Sequence, residues 1–169
     1  TNAHAAQGLP VEGWFVGWGD EIDAMSYDRG HAAINERARA WHEQNPGGLS
    51  VVLACHCNAG GGSYGLVAWD ARSALGRVAA STVAAAWEAG IPLLGRVKRT
   101  AGSSDGQPFQ RRLHYCLRGA WSGPGQHCGL TLEPGVLDTV AHRGLWTTGG
   151  LEAIARATVA GLVAWADDE

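Results

Sequence analysis

The sequence predicts an α/β fold in a single domain of residues 1–169. Two short apolar runs, residues 49–55 and 128–132, have the composition of strands that are covered on both faces. Other segments place apolar residues at every third or fourth position, which is typical of helices that bury one side. Alternation of such strands and helices indicates a layered α/β architecture, and the chain length is that of one domain with its own core.

Four strands are expected. They cover residues 49–55, 64–69, 113–117 and 128–132. The first and last are continuous apolar runs rich in branched side chains, as in strands of a largely parallel sheet. Residues 113–117 instead alternate apolar and polar side chains, which is the two-residue period of a strand with one buried face. Residues 102–108 are predicted to form a polar loop.

Three helices are expected. The first spans residues 21–44 and ends at a proline followed by two glycines, which cannot continue a helix. The second has Asp70 or Ser73 as its N-cap and Gly90 as its stop. The third spans residues 150–166. No internal repeat, linker or low-complexity tract interrupts the chain, so we predict one structural unit.

Composition and charge exclude two classes of partner. The net charge of −3 argues against nucleic acid, because binding phosphates requires a basic surface. No run of about 18 apolar residues is present, so we expect no membrane-spanning segment.

Four cysteines allow three interpretations. They are Cys55, Cys57, Cys116 and Cys128. Cross-strand disulfides could join residue 55 or 57 to residue 116 or 128. Free thiols that pack as small apolar side chains are the second interpretation. A cysteine-rich zinc site is the third, although a second Cys-x-x-Cys pair is missing.

Two predicted strands end directly on side chains of catalytic type. His56 follows residues 49–55, and Glu133 follows residues 128–132. Ligands of open α/β sheets bind outside the carboxyl ends of strands, and a carboxylate beside a buried strand is costly unless something pairs with it or uses it. The glycines after Asn58 would let a ligand approach the backbone. If the two strands are neighbours, these residues predict a functional site; a structural histidine and a solvated glutamate are the alternative.

The segments around these residues resemble a known enzyme family. Ser-Val-Val-Leu-Ala-Cys-His-Cys-Asn-Ala at residues 50–59 resembles the S-I-H-x-N-A segment of the zinc-dependent N-acetylmuramoyl-L-alanine amidases, the amidase-3 family of autolysins and phage endolysins. Leu-Thr-Leu-Glu-Pro-Gly-Val-Leu-Asp at residues 130–138 resembles its L-x-E-x-G-F-x-x-N strand. The resemblance covers about residues 30–165, with the N-terminal 30 residues divergent or truncated. It implies a mostly parallel or mixed sheet flanked by helices on both faces.

The resemblance also implies a zinc site. Family members hold Zn²⁺ with two histidines and one glutamate and keep a position open for water, a donor set that suits this ion. The ligands implied in this chain are His4, Glu21 and His56. His31 is the alternative first histidine and Glu12 the alternative glutamate. Glu133 matches the catalytic glutamate, which takes a proton from water and returns it to the leaving amine.

The implied reaction is hydrolysis of the amide bond between N-acetylmuramic acid and L-alanine in peptidoglycan. Peptidoglycan would then be the partner, and the protein would act outside the cell, in the periplasm or at the wall, or be released there by a phage. Two other functions stay open. One is a zinc peptidase or amidohydrolase with another substrate, and the other is a metal-free binding module on the same fold.

Overall fold

The computed structural model describes residues 36, 40–41, 43–45, 48–102 and 127–168. Their elements, in chain order, are β1 (Ser50–Cys55), β2 (Tyr64–Asp70), α1 (Ala74–Gly90), a 3₁₀ helix (Pro92–Leu94), β3 (Arg96–Gly102), β4 (His127–Glu133), a 3₁₀ helix (Val140–Trp146) and α2 (Thr148–Asp168). One sheet and its helices make this an α/β protein, as the sequence predicts. No helix within these ranges is both long and apolar enough to cross a membrane.

The four described strands form one mixed sheet in the order β1-β4-β2-β3. β1 runs parallel to β4, β2 runs parallel to β3, and the two pairs meet in antiparallel orientation between β4 and β2. The expectation that the strands before His56 and Glu133 are neighbours is therefore confirmed. Because of the antiparallel junction, β1 and β4 end at the edge where β2 and β3 begin.

Three of the described strands match predicted ones within a residue or two, but β3 was not predicted. Its sequence, Arg-Val-Lys-Arg-Thr-Ala-Gly, has only one large apolar side chain, Val97, and that side chain is buried. Within the described sheet, β3 lies at the edge and pairs with β2 alone. An edge strand needs fewer apolar residues than a central one, and charged residues are typical of such edges. The strand predicted at residues 113–117 lies outside the described residues.

Helix α1 begins and ends where the sequence predicts, but a left-handed glycine does not end it. The Ser73 hydroxyl accepts a hydrogen bond from the Gly76 amide at 2.8 Å, so Ser73 is the N-cap. The alternative cap, Asp70, is buried and binds Arg72 instead, at 2.7 Å. The helix ends at Gly90, but Gly90 is not among the residues with positive φ. Proline follows two positions later and prevents continuation, so a left-handed glycine cap is not what ends this helix.

Helix α1 packs on one face of the sheet, and α2 packs on α1. The buried side chains on this face include Val67, Val97, Cys128, Leu130 and Leu132. The Trp87 indole donates a buried hydrogen bond to the Thr158 hydroxyl at 2.9 Å, which joins the two helices. Gly161 lets them approach closely, since a Cβ atom there would lie 2.5 Å from the Cα atom of Val83. We call this surface of the sheet the helix face.

The opposite face of the sheet carries the alternate side chains of the same strands. Val52, Ala54, Leu66, Ala68 and Thr131 belong to it, and all five are buried. Glu133 follows in the same alternation, since Leu132 points to the helix face. We call this surface the polar face, because it carries the charged residues discussed below.

Candidate functional site

The fold brings His56 and Glu133 together at one edge of the sheet. Cys55 is the register partner of Leu132, and the His56 amide donates a hydrogen bond to the Leu132 carbonyl at 2.9 Å. The residues one step further along both strands are therefore side by side, about 5 Å apart at their Cα atoms. Strand alternation directs the Glu133 side chain to the polar face. A histidine and a glutamate thus follow adjacent strands at one edge of the sheet.

Glu133 is a buried carboxyl group without a partner in the described structure. Only 7% of the residue is exposed. Its Oε2 atom is buried and has no hydrogen-bond partner among the residues described. Burial raises the pKa of Glu133 above its ordinary value. Buried polar atoms are nearly always satisfied, so an orphaned carboxyl oxygen needs an explanation, and a role in proton transfer or ligand binding provides one.

His56 is half-buried, and its backbone lies next to that of Glu133. Burial lowers the pKa of the imidazole, because the charged form loses hydration. The side chain is therefore neutral near pH 7, with a ring nitrogen free of a proton. A neutral imidazole is the form that binds metal ions or accepts a proton.

Of the described cysteines, Cys55 and Cys57 are free thiols. Cys128 is fully buried in the core of the helix face, whereas Cys55 and Cys57 are exposed beside His56. Neighbouring protein atoms partly desolvate both sulfur atoms, which raises the pKa of Cys55 and of Cys57. The Glu133 charge raises the pKa of Cys57 further. Every disulfide considered from the sequence involves Cys55 or Cys57, so none of them forms in this structure. Cys116 lies outside the described residues. No group of three His, Cys, Asp or Glu side chains in the described ranges could hold a metal ion, so these ranges contain no cysteine-rich zinc site.

Two loops extend from the strand ends and are bound to each other. We call residues 59–63 the glycine loop and residues 134–139 the glutamate loop. Gly60, Gly61 and Gly62 have φ values of 99°, 83° and 105°, a backbone region that glycine adopts without strain. The Asp138 carboxylate accepts hydrogen bonds from the amides of Gly60 and Gly61, at 3.1 and 3.3 Å. The Thr139 hydroxyl donates to the Gly62 carbonyl.

These bonds change the role that the sequence suggested for the glycines. We expected the loop to admit a ligand close to its backbone. Two of its amides instead bind Asp138, and these hydrogen bonds lower the pKa of that carboxyl group. The glycines serve to bring the glycine loop against the glutamate loop, and so to hold the segments after His56 and Glu133 in fixed relation.

His142 is a further link between the loops, and the sequence analysis missed it. The residue is completely buried. Its Nδ1 atom accepts a hydrogen bond from the Val136 amide at 2.9 Å, and its Nε2 atom lies 3.3 Å from the Ser63 hydroxyl. Because Nδ1 is an acceptor, the ring proton is on Nε2 in the neutral form. No local pattern marks this residue, since Ser63 is 79 positions away in the chain.

The other predicted ligands lie outside the described residues. These are His4 and Glu21, with their alternatives His31 and Glu12. They stay predictions. The described structure therefore supplies one imidazole and one carboxyl group of the four groups that the resemblance implies.

No protein-family model matches the chain, and no curated protein is significantly similar to it. The functional assignment therefore depends on the geometry and chemistry of the site itself.

Proposed function

We propose that the protein is a zinc-dependent hydrolase of the bond between N-acetylmuramic acid and L-alanine in peptidoglycan. The observation that carries the proposal is the buried carboxyl group of Glu133, which has no hydrogen-bond partner in the described structure and follows the strand adjacent to the one that His56 follows. A metal ligand and a general base are needed at the same place in such an enzyme, and these residue types suit the two roles.

The described residues fit their share of a zinc site. His56 provides a nitrogen donor in the neutral state that coordination requires. We propose His4 and Glu21 as the remaining ligands. Zn²⁺ supplies Lewis-acid chemistry, which makes water nucleophilic near neutral pH and polarises a carbonyl group. In this proposal Glu133 does not coordinate the zinc ion and acts as the general acid and base.

Glu133 acts in both halves of the proposed reaction. Its carboxylate accepts the proton of the attacking water, holds it, and returns it to the nitrogen of the leaving L-alanine. A raised pKa favours this exchange, because general acid–base catalysis is most effective when the pKa approaches the working pH. Burial also keeps bulk water from competing for the proton.

We also propose that the complete fold is of the amidase-3 type, with helices on both faces of the sheet. Burial of apolar side chains on the polar face, among them Val52 and Leu66, supports a second covering layer there. The substrate places the protein at the cell wall, in the periplasm or outside the cell.

Purified muropeptides test the proposal. With zinc present, we expect release of peptides that carry a new L-alanine amino terminus and of glycan that carries a free lactyl carboxylate, both identified by mass. A chelator should abolish the reaction, and added zinc should restore it. Cleavage of peptide bonds alone would assign the site to a zinc peptidase instead, and intact muropeptides after incubation with the zinc-loaded protein would overturn the proposal.

A further inference from the structure

One row of side chains crosses the polar face of the sheet at the level of Glu133. Leu66 of β2 is the register partner of Glu133 on β4 and of Lys98 on β3. Register partners project to the same face, so Lys98 and Glu133 both lie on the polar face. Two strand spacings separate their Cα atoms, a distance of about 10 Å. The chain therefore places a cation near the proposed reaction centre.

Lys98 is held by an aromatic ring rather than by a carboxylate. Its Nζ atom lies 3.4 Å from the centroid of the Tyr64 ring, a cation–π contact. No ion pair with a carboxylate of the described ranges involves Lys98. The next residue differs, because Arg99 belongs to the helix face and pairs with Glu88 at 2.8 Å. Lys98 is also the only lysine in the sequence.

The Tyr64 ring is itself tied to the segment after His56. The Asn58 side-chain amide donates a hydrogen bond to the Tyr64 hydroxyl at 3.2 Å. Asn58 continues the pairing between the two strand ends, since its backbone forms a bridge with Val136. A connected path of contacts thus runs from the segment that carries His56 through Tyr64 to the Lys98 ammonium group. The cation is held at a set distance from the site.

We propose that Lys98 binds a carboxylate of the peptide part of the substrate, with Tyr64 holding the ammonium group in place. The inference rests on the proposed function. The sugar side of the scissile amide is neutral, whereas the peptide side carries carboxylates, so the peptide extends towards β3. Two residues of an extended peptide span at most about 7 Å. That reach fits a carboxylate within about two residues of the scissile bond.

The test compares two substrates and two neighbouring cations. The substrates are a muramoyl dipeptide with free carboxylates and the same compound with both carboxylates as amides. For Lys98→Met, which keeps an apolar stem and removes the charge, we expect KM for the acid to rise about tenfold with kcat little changed, as for loss of a charged hydrogen bond. KM for the diamide should not change. Lys98→Arg should restore most of the preference for the acid, and Arg99→Met should leave it intact.

An equilibrium titration of the chelated, metal-free protein with each dipeptide separates the two proposals. The inference is supported if the protein binds the acid more strongly than the diamide and if this preference is lost in Lys98→Met but kept in Arg99→Met. This holds even if neither compound is cleaved. Absence of cleavage would then count against the proposed function alone. The inference would be overturned if the wild-type protein bound acid and diamide equally, or if Lys98→Met kept the preference for the acid. Cleavage of the diamide would still be evidence for the proposed function.

Discussion

The helix face and the polar face of the sheet are built on different principles. On the helix face, apolar side chains interlock, and the Trp87 indole finds a partner in Thr158. On the polar face, Thr131 and Glu133 are buried with oxygen atoms that have no partner in the described structure. The core of the helix face also contains two unpartnered donors, the indoles of Trp146 and Trp165, but both groups are uncharged. One face therefore stabilises the fold, and we propose that the other keeps unsatisfied polar groups, at a cost in stability, for the proposed reaction.

The two carboxyl groups near the end of β4 differ in the same way, since one is buried without a hydrogen-bond partner and the other is exposed and hydrogen-bonded. Glu133 is buried without a partner, and its pKa is raised. Asp138, five residues later, is exposed and accepts two amide hydrogen bonds, and its pKa is lowered. Environments that move two pKa values apart indicate different roles. Asp138 positions the loops, and Glu133 is the group for which we propose proton transfer.

The largest expected effect on folding stability is on the helix face. In Gly161→Ala the new methyl group would lie 2.5 Å from the Val83 Cα atom, which is backbone and cannot turn aside. Overpacking of this kind costs about 1–3 kcal/mol of the free energy of unfolding. Gly149→Ala is the matched control on the same helix, because no atom lies within 4 Å of its added Cβ. Urea unfolding measures both; equal stability of the two variants would contradict close packing at Gly161.

Removing the imidazole of His142 should lower both the stability of the fold and the rate of hydrolysis. His142→Leu leaves the buried Val136 amide without its acceptor, at a cost of about 1–3 kcal/mol. It also loosens the glutamate loop, so we expect hydrolysis to slow as well. His142→Asn offers an oxygen near the Nδ1 position and should recover part of both losses. If His142→Leu unfolds at the wild-type urea concentration, the link between the loops is not structural.

Glu133→Gln should increase stability at neutral pH in the metal-free protein. The folded state raises the pKa of Glu133, so the group favours folding most when it is protonated, below its ordinary value of 4.5. That contribution is lost as the pH rises through the raised pKa, and the neutral amide avoids the loss. Urea unfolding at pH 7 should show the variant as the more stable protein, and the gap should close near pH 4. A gap independent of pH would refute the assignment.

Asp138→Asn should have the smallest effect. The pKa of Asp138 is lowered, so its hydrogen bonds to the glycine loop persist above the ordinary value of 3.8 and weaken as the pH falls through the lower folded pKa. The amide signals of Gly60 and Gly61 in NMR spectra should therefore titrate together below pH 3.8 in the wild-type protein. In Asp138→Asn this titration should vanish. Amide signals that do not respond to acid in the wild-type protein would contradict the contact.

Sequence patterns predicted three of the described strands and their ends, because buried strands have a recognisable apolar composition. Continuous apolar runs such as residues 50–55 identify buried strands, and the residue after each run is identified with them. His56 and Glu133 could therefore be predicted as one site as soon as the two strands were taken as neighbours. The apolar period of the next segment likewise predicted that α1 is a helix.

The rest of the site depends on contacts between distant residues. Strand β3 is too polar to be recognised alone, so the position of Lys98 on the polar face became evident only from its register with Leu66. His142 has partners in both loops, and no spacing in the chain reports them. Burial of the Glu133 carboxyl group is a property of the folded sheet, although its cost could be anticipated from the strand that precedes it.

Zinc content, measured together with hydrolysis for matched variants, tests the central claim most directly. The account predicts one zinc ion per wild-type chain and its loss in His56→Ala. Glu133→Gln should keep the ion while hydrolysis falls by about 10²–10⁴-fold, as for removal of a general base. A His56→Ala protein that holds zinc at the wild-type ratio and still cleaves muropeptides would contradict the account.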